Sequence, residues 1–303
     1  MLEIIPGIVG SIALFLYSVI SFGKMIRNLA GDKVKRFLSS VTSNPIKGVL
    51  FGAVSTAILQ SSSATSVLAA SLADAGLISF YNTLGVIFGV NIGTTVTSQL
   101  VAFNVMAASP FIILFGIIVK LWGSSFKKYG KPIIYFGLLY FSVYLISIFV
   151  PYLDQQILGT YLSVTSNIFI AILVGLIFSI LFQSSSVVSG IVLVLVGGGY
   201  IDLNQAIGFI LGANIGTTST VIIASLTMGK EAKRVAISHL LFNIIGVVIF
   251  LPFIGCFLKV VQKLDGSVVH QVANIYLIFN FICTIIFLIA IKPFNYIIKK
   301  IIK

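Results

Sequence analysis

The tetrapeptide Q-S-S-S occurs twice in this chain, at Gln60–Ser63 and at Gln183–Ser186, and each copy interrupts a run of apolar residues. A shift of 123 residues lays Ser40–Ser98 over Ser163–Val221 without a gap, with 24 of 59 positions identical. S-V-T-S-N at Ser40–Asn44 recurs at Ser163–Asn167, and G-x-N-I-G-T-T-x-T at Gly89–Thr97 recurs at Gly212–Thr220. In both copies the Gln and the Asn stand 31 residues apart. Identity at one fixed offset over this length marks an internal duplication, so the fold is to be read as two copies of one unit.

The residues around the repeat belong in a bilayer. Of 303 residues 58% are hydrophobic and 9% charged, where a soluble domain carries about 25% charged residues. Apolar runs predict spans at Ile4–Met25, Tyr81–Phe103, Ala107–Leu121, Pro132–Pro151, Leu203–Met228, Val235–Phe257 and Val272–Ile291. Segments 46–75 and 168–198 are split by Q-S-S-S into halves too short to cross, and read as re-entrant hairpins. The predicted fold is all-α: a polytopic membrane protein with inverted-topology repeats, two re-entrant helical hairpins and about seven further spans. The first repeat covers 1–123 (hairpin 46–75, broken span 81–103) and the second 124–257 (hairpin 168–198, broken span 203–228). Residues 258–303 add a C-terminal span and a basic tail.

The net charge of +12 sits in short loops between apolar runs, which points to retention on the cytoplasmic side and away from nucleic acid. Lys24, Arg27, Lys33, Lys35 and Arg36 mark one cytoplasmic loop, and the four lysines between Lys120 and Lys131 another. Lys230, Lys233 and Arg234 mark a third, whereas Tyr152–Asn167 has Asp154 and no basic residue. Threading seven spans through these marks puts the N-terminus outside and the C-terminus in the cytoplasm of a cell whose plasma membrane holds the protein. Lys259 and Lys263 run against that assignment. The two repeats then enter the membrane in opposite senses, so the first hairpin dips from the cytoplasm and the second from the exterior. Basic residues after the first span, with no cleavage site, predict a retained helix rather than a signal peptide. Cys256 and Cys283 read as small core residues without metal-ligand or disulfide spacing.

A turn inside the hydrocarbon leaves backbone groups unpaired unless protein, water or ligand satisfies them, so each Q-S-S-S must line something polar. The helix that follows presents free N–H groups and a positive dipole end, which suits an anion. Serine hydroxyls donate and accept, and the glutamine amide adds two donors. In the second motif Thr94 and Thr97, like Thr217 and Thr220, stand i, i+3 on one face, where oxygens can hold a hard cation such as sodium. Helix glue is the competing reading for Ser and Gln, and back-bonding to a carbonyl for Thr, above all at Thr95 and Thr218. No Asp, Glu, Lys or Arg falls inside the hairpins or the broken spans, which argues against a proton relay. Asp74 and Asp202 read as solvated residues, His239 as an interfacial packing residue, His270 as a loop residue, and Trp122 with the tyrosines as aromatic belt. Asn243 is expected to bond between helices, and Gly197–Gly199 to close the second hairpin. A hydrolase using a Q-S-S-S serine with His239 would lack an acidic orienter. Duplicated inverted halves with broken helices fit a secondary transporter, with a passive channel as the rival.

At these residues the sequence resembles the type II sodium/phosphate cotransporter family, whose signature is a repeated Q-S-S-S hairpin paired with an N-I-G-T-T segment. The likeness runs on through A-K-R-V-A-I-S-H-L-L-F-N at Ala232–Asn243. It implies sodium-coupled symport of inorganic phosphate by alternating access, with no enzyme activity, transition metal or organic cofactor. Phosphate is placed at Gln60, Ser61, Ser62, Ser63, Gln183, Ser184, Ser185 and Ser186, with Asn91 and Asn214 as further candidates. Sodium is placed near Gln183, Ser184, Thr217 and Thr220, and by repetition near Gln60, Thr94 and Thr97. Hydroxyls and helix ends alone would equally admit another oxyanion such as sulfate. The first hairpin continues Ala64-Thr65-Ser66 where the second has Val187-Val188-Ser189, so the halves need not bind alike. Many bacterial relatives carry a soluble regulatory domain after the membrane part, and regulation of that kind is not expected from the residues up to Lys303.

Overall fold

The computed structural model describes residues 4–41, 44–103, 106–123, 126–153, 155–264 and 266–303, with side chains at all of these except 26–27, 30–41, 155–158, 161 and 264. Arg27, Lys33, Lys35, Arg36 and Asp154, and Thr42 and Ser43 of the first S-V-T-S-N, fall outside the described side chains. The described residues are helical throughout, with no strand among them. Helix α1 (Ile4–Val41) continues through the basic stretch predicted as a loop. Then α2 (Pro45–Leu59) and α3 (Ser62–Asp74) meet at a two-residue turn, followed by α4 (Phe80–Ala102), α5 (Ser109–Leu121) and α6 (Lys127–Phe149). After α7 (Gln155–Val164), α8 (Ile168–Phe182) and α9 (Ser185–Gly197) meet at a second such turn. Next come α10 (Leu203–Gly216), α11 (Ser219–Ser225), α12 (Lys230–Phe250), α13 (Ile254–Leu264), α14 (Val268–Ile289) and α15 (Ile291–Ile301).

The repeated sequence acts first through caps. Each S-V-T-S-N ends in an asparagine whose side chain accepts from the second N–H of the next helix, Asn44 from Ile46 at 2.8 Å and Asn167 from Phe169 at 2.9 Å. Ser79 and Asp202, 123 residues apart, cap α4 and α10. Asp202 forms a reciprocal box with Gln205 at 2.8 Å each way, and Asp74 accepts from Gly229 N at 2.9 Å. Both acids are exposed, as expected of solvated residues, and each also holds a loop in place through these bonds. Cys256 is exposed, not a core residue, while Cys283 is buried.

Among the described residues, six helical segments are long and apolar enough to cross a membrane: Ile4–Met25, Phe80–Ala102, Lys127–Tyr152, Leu203–Ser225, Lys230–Lys263 and Val268–Ile289. This is a multi-pass membrane protein. The seventh predicted span, Ala107–Leu121, is a 13-residue helix after a 3₁₀ turn, about 20 Å at 1.5 Å per residue. It packs antiparallel to α6, with Ile113 beside Gly137 and Lys120 beside Gly130.

The predicted broken span at 81–103 is not broken: α4 runs unbroken from Phe80 to Ala102. Thr94 and Thr95 donate back to Val90 O at 2.9 Å and Ile92 O at 2.7 Å, and the Thr97 hydroxyl donates to Gln60 in the turn between α2 and α3. The second copy does change at this point. Thr217 (φ −62°, ψ −21°) and Thr218 (φ −68°, ψ −19°) tighten the chain, and the bonds Thr218 N→Ile215 O and Thr220 N→Thr217 O are i→i−3. A short 3₁₀ stretch thus separates α10 from α11.

The helices carrying N-I-G-T-T are the most enclosed of these spans, with 78% of the apolar stretch of Phe80–Ala102 and 72% of that of Leu203–Ser225 buried, against 22% for Ile4–Met25. Glycine makes this possible. A Cβ on Gly89 would lie 1.9 Å from Val49 O, and one on Gly212 1.8 Å from Ile172 O. Gly85, Gly89 and Gly93 face α2 as Gly208, Gly212 and Gly216 face α8, so the whole seam recurs at the 123-residue offset. Backbones in van der Waals contact replace side-chain packing where lipid supplies little hydrophobic drive. The outward faces of α2 and α8 carry Ile46, Leu50, Val54 and Ile58, and Phe169, Leu173, Ile177 and Leu181, all exposed. Gly89→Ala or Gly212→Ala should therefore destabilise by about 1–3 kcal/mol, since backbone must move. Gly10→Ala, in open space on α1, should be neutral or stabilising; thermal unfolding in detergent compares the three.

Candidate functional site

Both Q-S-S-S copies build the same turn. Gln60 (φ 49°, ψ 34°) and Gln183 (φ 50°, ψ 30°) end α2 and α8 in the left-handed region, the only non-glycine residues to do so among those described. That conformation costs an L-residue roughly 1–2 kcal/mol. Ser61 and Ser184 follow in extended backbone and cap α3 and α9, accepting from Ala64 N at 3.2 Å and Val187 N at 3.4 Å. The next serines thus open each helix with N–H groups that have no carbonyl a turn earlier to meet.

The two turns line one cavity of about 440 Å³. Gln60, Ser61, Ser62, Ser63, Gln183, Ser184, Ser186 and Thr220 supply its polar wall, and Val19, Ile20, Gly23, Ala64, Val67 and Phe182 the rest. No ionisable side chain is among them. The α1 contribution escaped sequence reasoning, although Gly23 signals it: Leu59 O lies 3.0 Å from where its Cβ would be.

The threonines divide by copy. In the first, Thr97 donates to Gln60 Oε1 at 2.7 Å and lies 3.4 Å from Ser186 Oγ, which ties α4 to both turns. The Gln60 amide in turn donates to Ala57 O. In the second, the hydroxyls of Thr217, Ser219 and Thr220 are buried and have no partner in the protein. Ser185 is buried and outside the cavity wall, and Thr94 points into its own helix.

Asn91 and Asn214 do not reach the cavity. Asn91 donates to Ile87 O at 2.8 Å, and its Oδ1 lies 3.4 Å from His239 Nε2. Asn214 donates to Asn243 Oδ1 at 3.0 Å and Asn280 Oδ1 at 3.2 Å, and accepts from the Tyr276 hydroxyl at 2.9 Å. His239 is 1% exposed, deep in the protein rather than interfacial, and its Nδ1 faces Ser66 Oγ at 3.2 Å. It meets that serine, one turn beyond the Q-S-S-S, and none of the turn serines. Tyr276 is likewise core rather than belt. Asn280 inside an apolar run was the available signal for this cluster, since polar residues at membrane depth need partners.

The family model described as Na+/Pi-cotransporter matches residues 14–147 and 153–290. Uncharacterized protein YqeW of Bacillus subtilis (strain 168) is 31% identical over 265 residues, 86% of each chain. Putative inorganic phosphate export protein YjbB of Escherichia coli (strain K12) is 26% identical over 263 residues, 85% of this chain and 48% of YjbB, so the chain spans about half of that relative. Sodium-dependent phosphate transport protein 2C of Mus musculus is 41% identical over 86 residues, 27% of this chain and 14% of its own length. No solved structure matches. With both Q-S-S-S turns and both N-I-G-T-T segments inside the matched residues, the chain belongs to the Na+/Pi-cotransporter family.

Proposed function

We propose that the protein carries inorganic phosphate across the membrane together with sodium, by alternating access between two inverted repeats. The observation that carries this reading is the shared cavity, where two serine-rich turns and two helix N-termini converge with no ionisable group. Phosphate binds between the turns, taking hydrogen bonds from Ser62, Ser63 and Ser186 and the amides of Gln60 and Gln183. Sodium binds at the second-repeat threonines, whose unpartnered hydroxyls need a ligand. In the first repeat Thr97 spends its hydroxyl on Gln60, so the equivalent position there is a structural bridge.

The absence of Lys and Arg from the cavity supports coupling. A desolvated oxyanion needs positive charge, and helix ends supply about half an elementary charge each. Sodium close to the same turn supplies the remainder. Inversion is supported by loop contacts. Asp74 meets Gly229, and Arg234 donates to Ile302 O at 3.0 Å, all near basic loops. At the other side Val101, Met106, Pro151, Gly197 and Ser267 line a second cavity of about 490 Å³. Hairpin ends α3 and α9 therefore sit with opposite loop sets, which fits an N-terminus outside, a cytoplasmic C-terminus and an α5 that crosses despite its length. Helices α2 and α8, about 22 Å each, fit re-entrant halves. The relative's name as an export protein makes direction a matter of gradients.

Proteoliposomes containing the purified chain should take up ³²P-phosphate only with an inward sodium gradient; equal uptake in potassium would sink the coupling, and stronger inhibition by sulfate than by unlabelled phosphate would favour the other oxyanion. Thr220→Ala should raise the sodium concentration for half-maximal uptake about tenfold while leaving thermal stability within about 1 kcal/mol, because the hydroxyl has no partner to lose. Gln183→Gly should abolish uptake yet unfold no earlier than the parent, since glycine relieves the left-handed strain; loss of both activity and fold would contradict the assignment.

A further inference from the structure

We propose that α12 is a coupling strut that ties the two N-I-G-T-T motifs to each other, through His239 for the first repeat and Asn243 for the second. This rests on the transport reading above. His239 and Asn243 are four residues apart and so lie on one face of α12. Asn91 and Asn214, their partners, are the same residue of the duplicated unit. One helix therefore touches the equivalent point of both halves, and every group involved is at most 1% exposed.

The two contacts act on different ligands. Asn243 Nδ2 donates to Asn214 O at 3.0 Å while its Oδ1 accepts from Asn214 Nδ2, a two-way lock. In a regular α-helix that carbonyl would receive Thr218 N, but Thr218 N turns instead to Ile215 O. Asn243 satisfies the acceptor that the 3₁₀ tightening leaves over, and so holds the geometry in which Thr217 and Thr220 present their hydroxyls. On the first side, Asn91 commits its amide N–H to Ile87 O, so its Oδ1 must accept from His239 Nε2–H. Nδ1 lies 3.2 Å from Ser66 Oγ, so the ring joins α4 to α3 one turn past the Q-S-S-S that receives phosphate. Asn243 is thus a positioning residue for sodium, and His239 one for phosphate.

The test is a crossed pattern in the full chain reconstituted in liposomes, with half-saturation measured separately for sodium and for ³²P-phosphate. Asn243→Leu should raise the sodium value about tenfold and leave the phosphate value within about twofold, the scale expected when a buried carbonyl loses its donor. His239→Leu should do the reverse, and His239→Gln, which keeps a donor and an acceptor, should recover most of the phosphate affinity. If a leucine variant does not fold, Asn243→Ser and His239→Ala give the same comparison with less added bulk, and His239→Gln remains the rescue. Loss confined to maximal rate, or equal shifts of both ligands in both variants, would overturn the strut as proposed. Sodium-independent uptake by the unmodified chain would instead refute the transport reading, and the strut with it.

Discussion

A helix that stops inside an apolar protein must find partners for its last carbonyls and its first N–H groups, and the rest of this molecule is arranged around two such stops. The residues chosen to make them are unusual. Glycine is the easy occupant of a left-handed helix end, yet both turns place glutamine there at φ near 50°. The strain is worth bearing only where the side chain has work to do, and in the first copy that work is visible. Gln60 receives the Thr97 hydroxyl and returns its own amide to α2, so turn and motif helix are joined by side chain as well as by packing.

Bringing two such turns into one cavity requires that their supporting helices approach closely, which is the office of the glycine seams. Each seam sets a motif helix against the first half of its hairpin at backbone contact, and the equivalence of the contacts at a single offset shows the duplicated unit surviving as structure. The units then diverge in one place. The first copy keeps α4 continuous and closes its threonines onto internal acceptors; the second tightens into 3₁₀ and leaves three hydroxyls without protein partners. Duplicated sequence thus yields one rigid post and one polar niche. The shared Asn-Ile-Gly-Thr-Thr is followed by Val96 in the first copy and Ser219 in the second, and the Thr94 hydroxyl meets Val90 O where that of Thr217 meets no protein acceptor.

Much of this was legible beforehand because the signals are local. Q-S-S-S inside an apolar run, an asparagine before one, and a fixed offset between copies require no knowledge of tertiary contact. The two interrupted helix pairs, their bounds and their convergence on polar residues followed from them. What escaped depends on which neighbour arrives. Nothing in Gly93-Thr94-Thr95 distinguishes a continuous helix from a tightened one, and its twin at Gly216-Thr217-Thr218 takes the other course. The participation of α1 rests on a single glycine among apolar residues. Asn91 and Asn214 share a motif with the threonines and so read as ligand candidates, but each stands six residues before Thr97 or Thr220, about 120° away around a helix, and these asparagines face α12.

The proposed site is built almost wholly of neutral groups, and this shapes what it can bind. A cavity lined by lysine or arginine would hold an oxyanion tightly with or without sodium, and a tight complex would be slow to release on the far side. Hydroxyls, amides and helix ends solvate both signs of charge moderately, so an oxyanion alone, or a cation alone, remains under-compensated in a region with little water. Together they approach neutrality. Under the proposed reading, mutual dependence of the two ligands then needs no direct contact between them: each lowers the electrostatic cost of burying the other across a few ångströms of low dielectric, and the protein need only keep the turn of Gln183 next to Thr220.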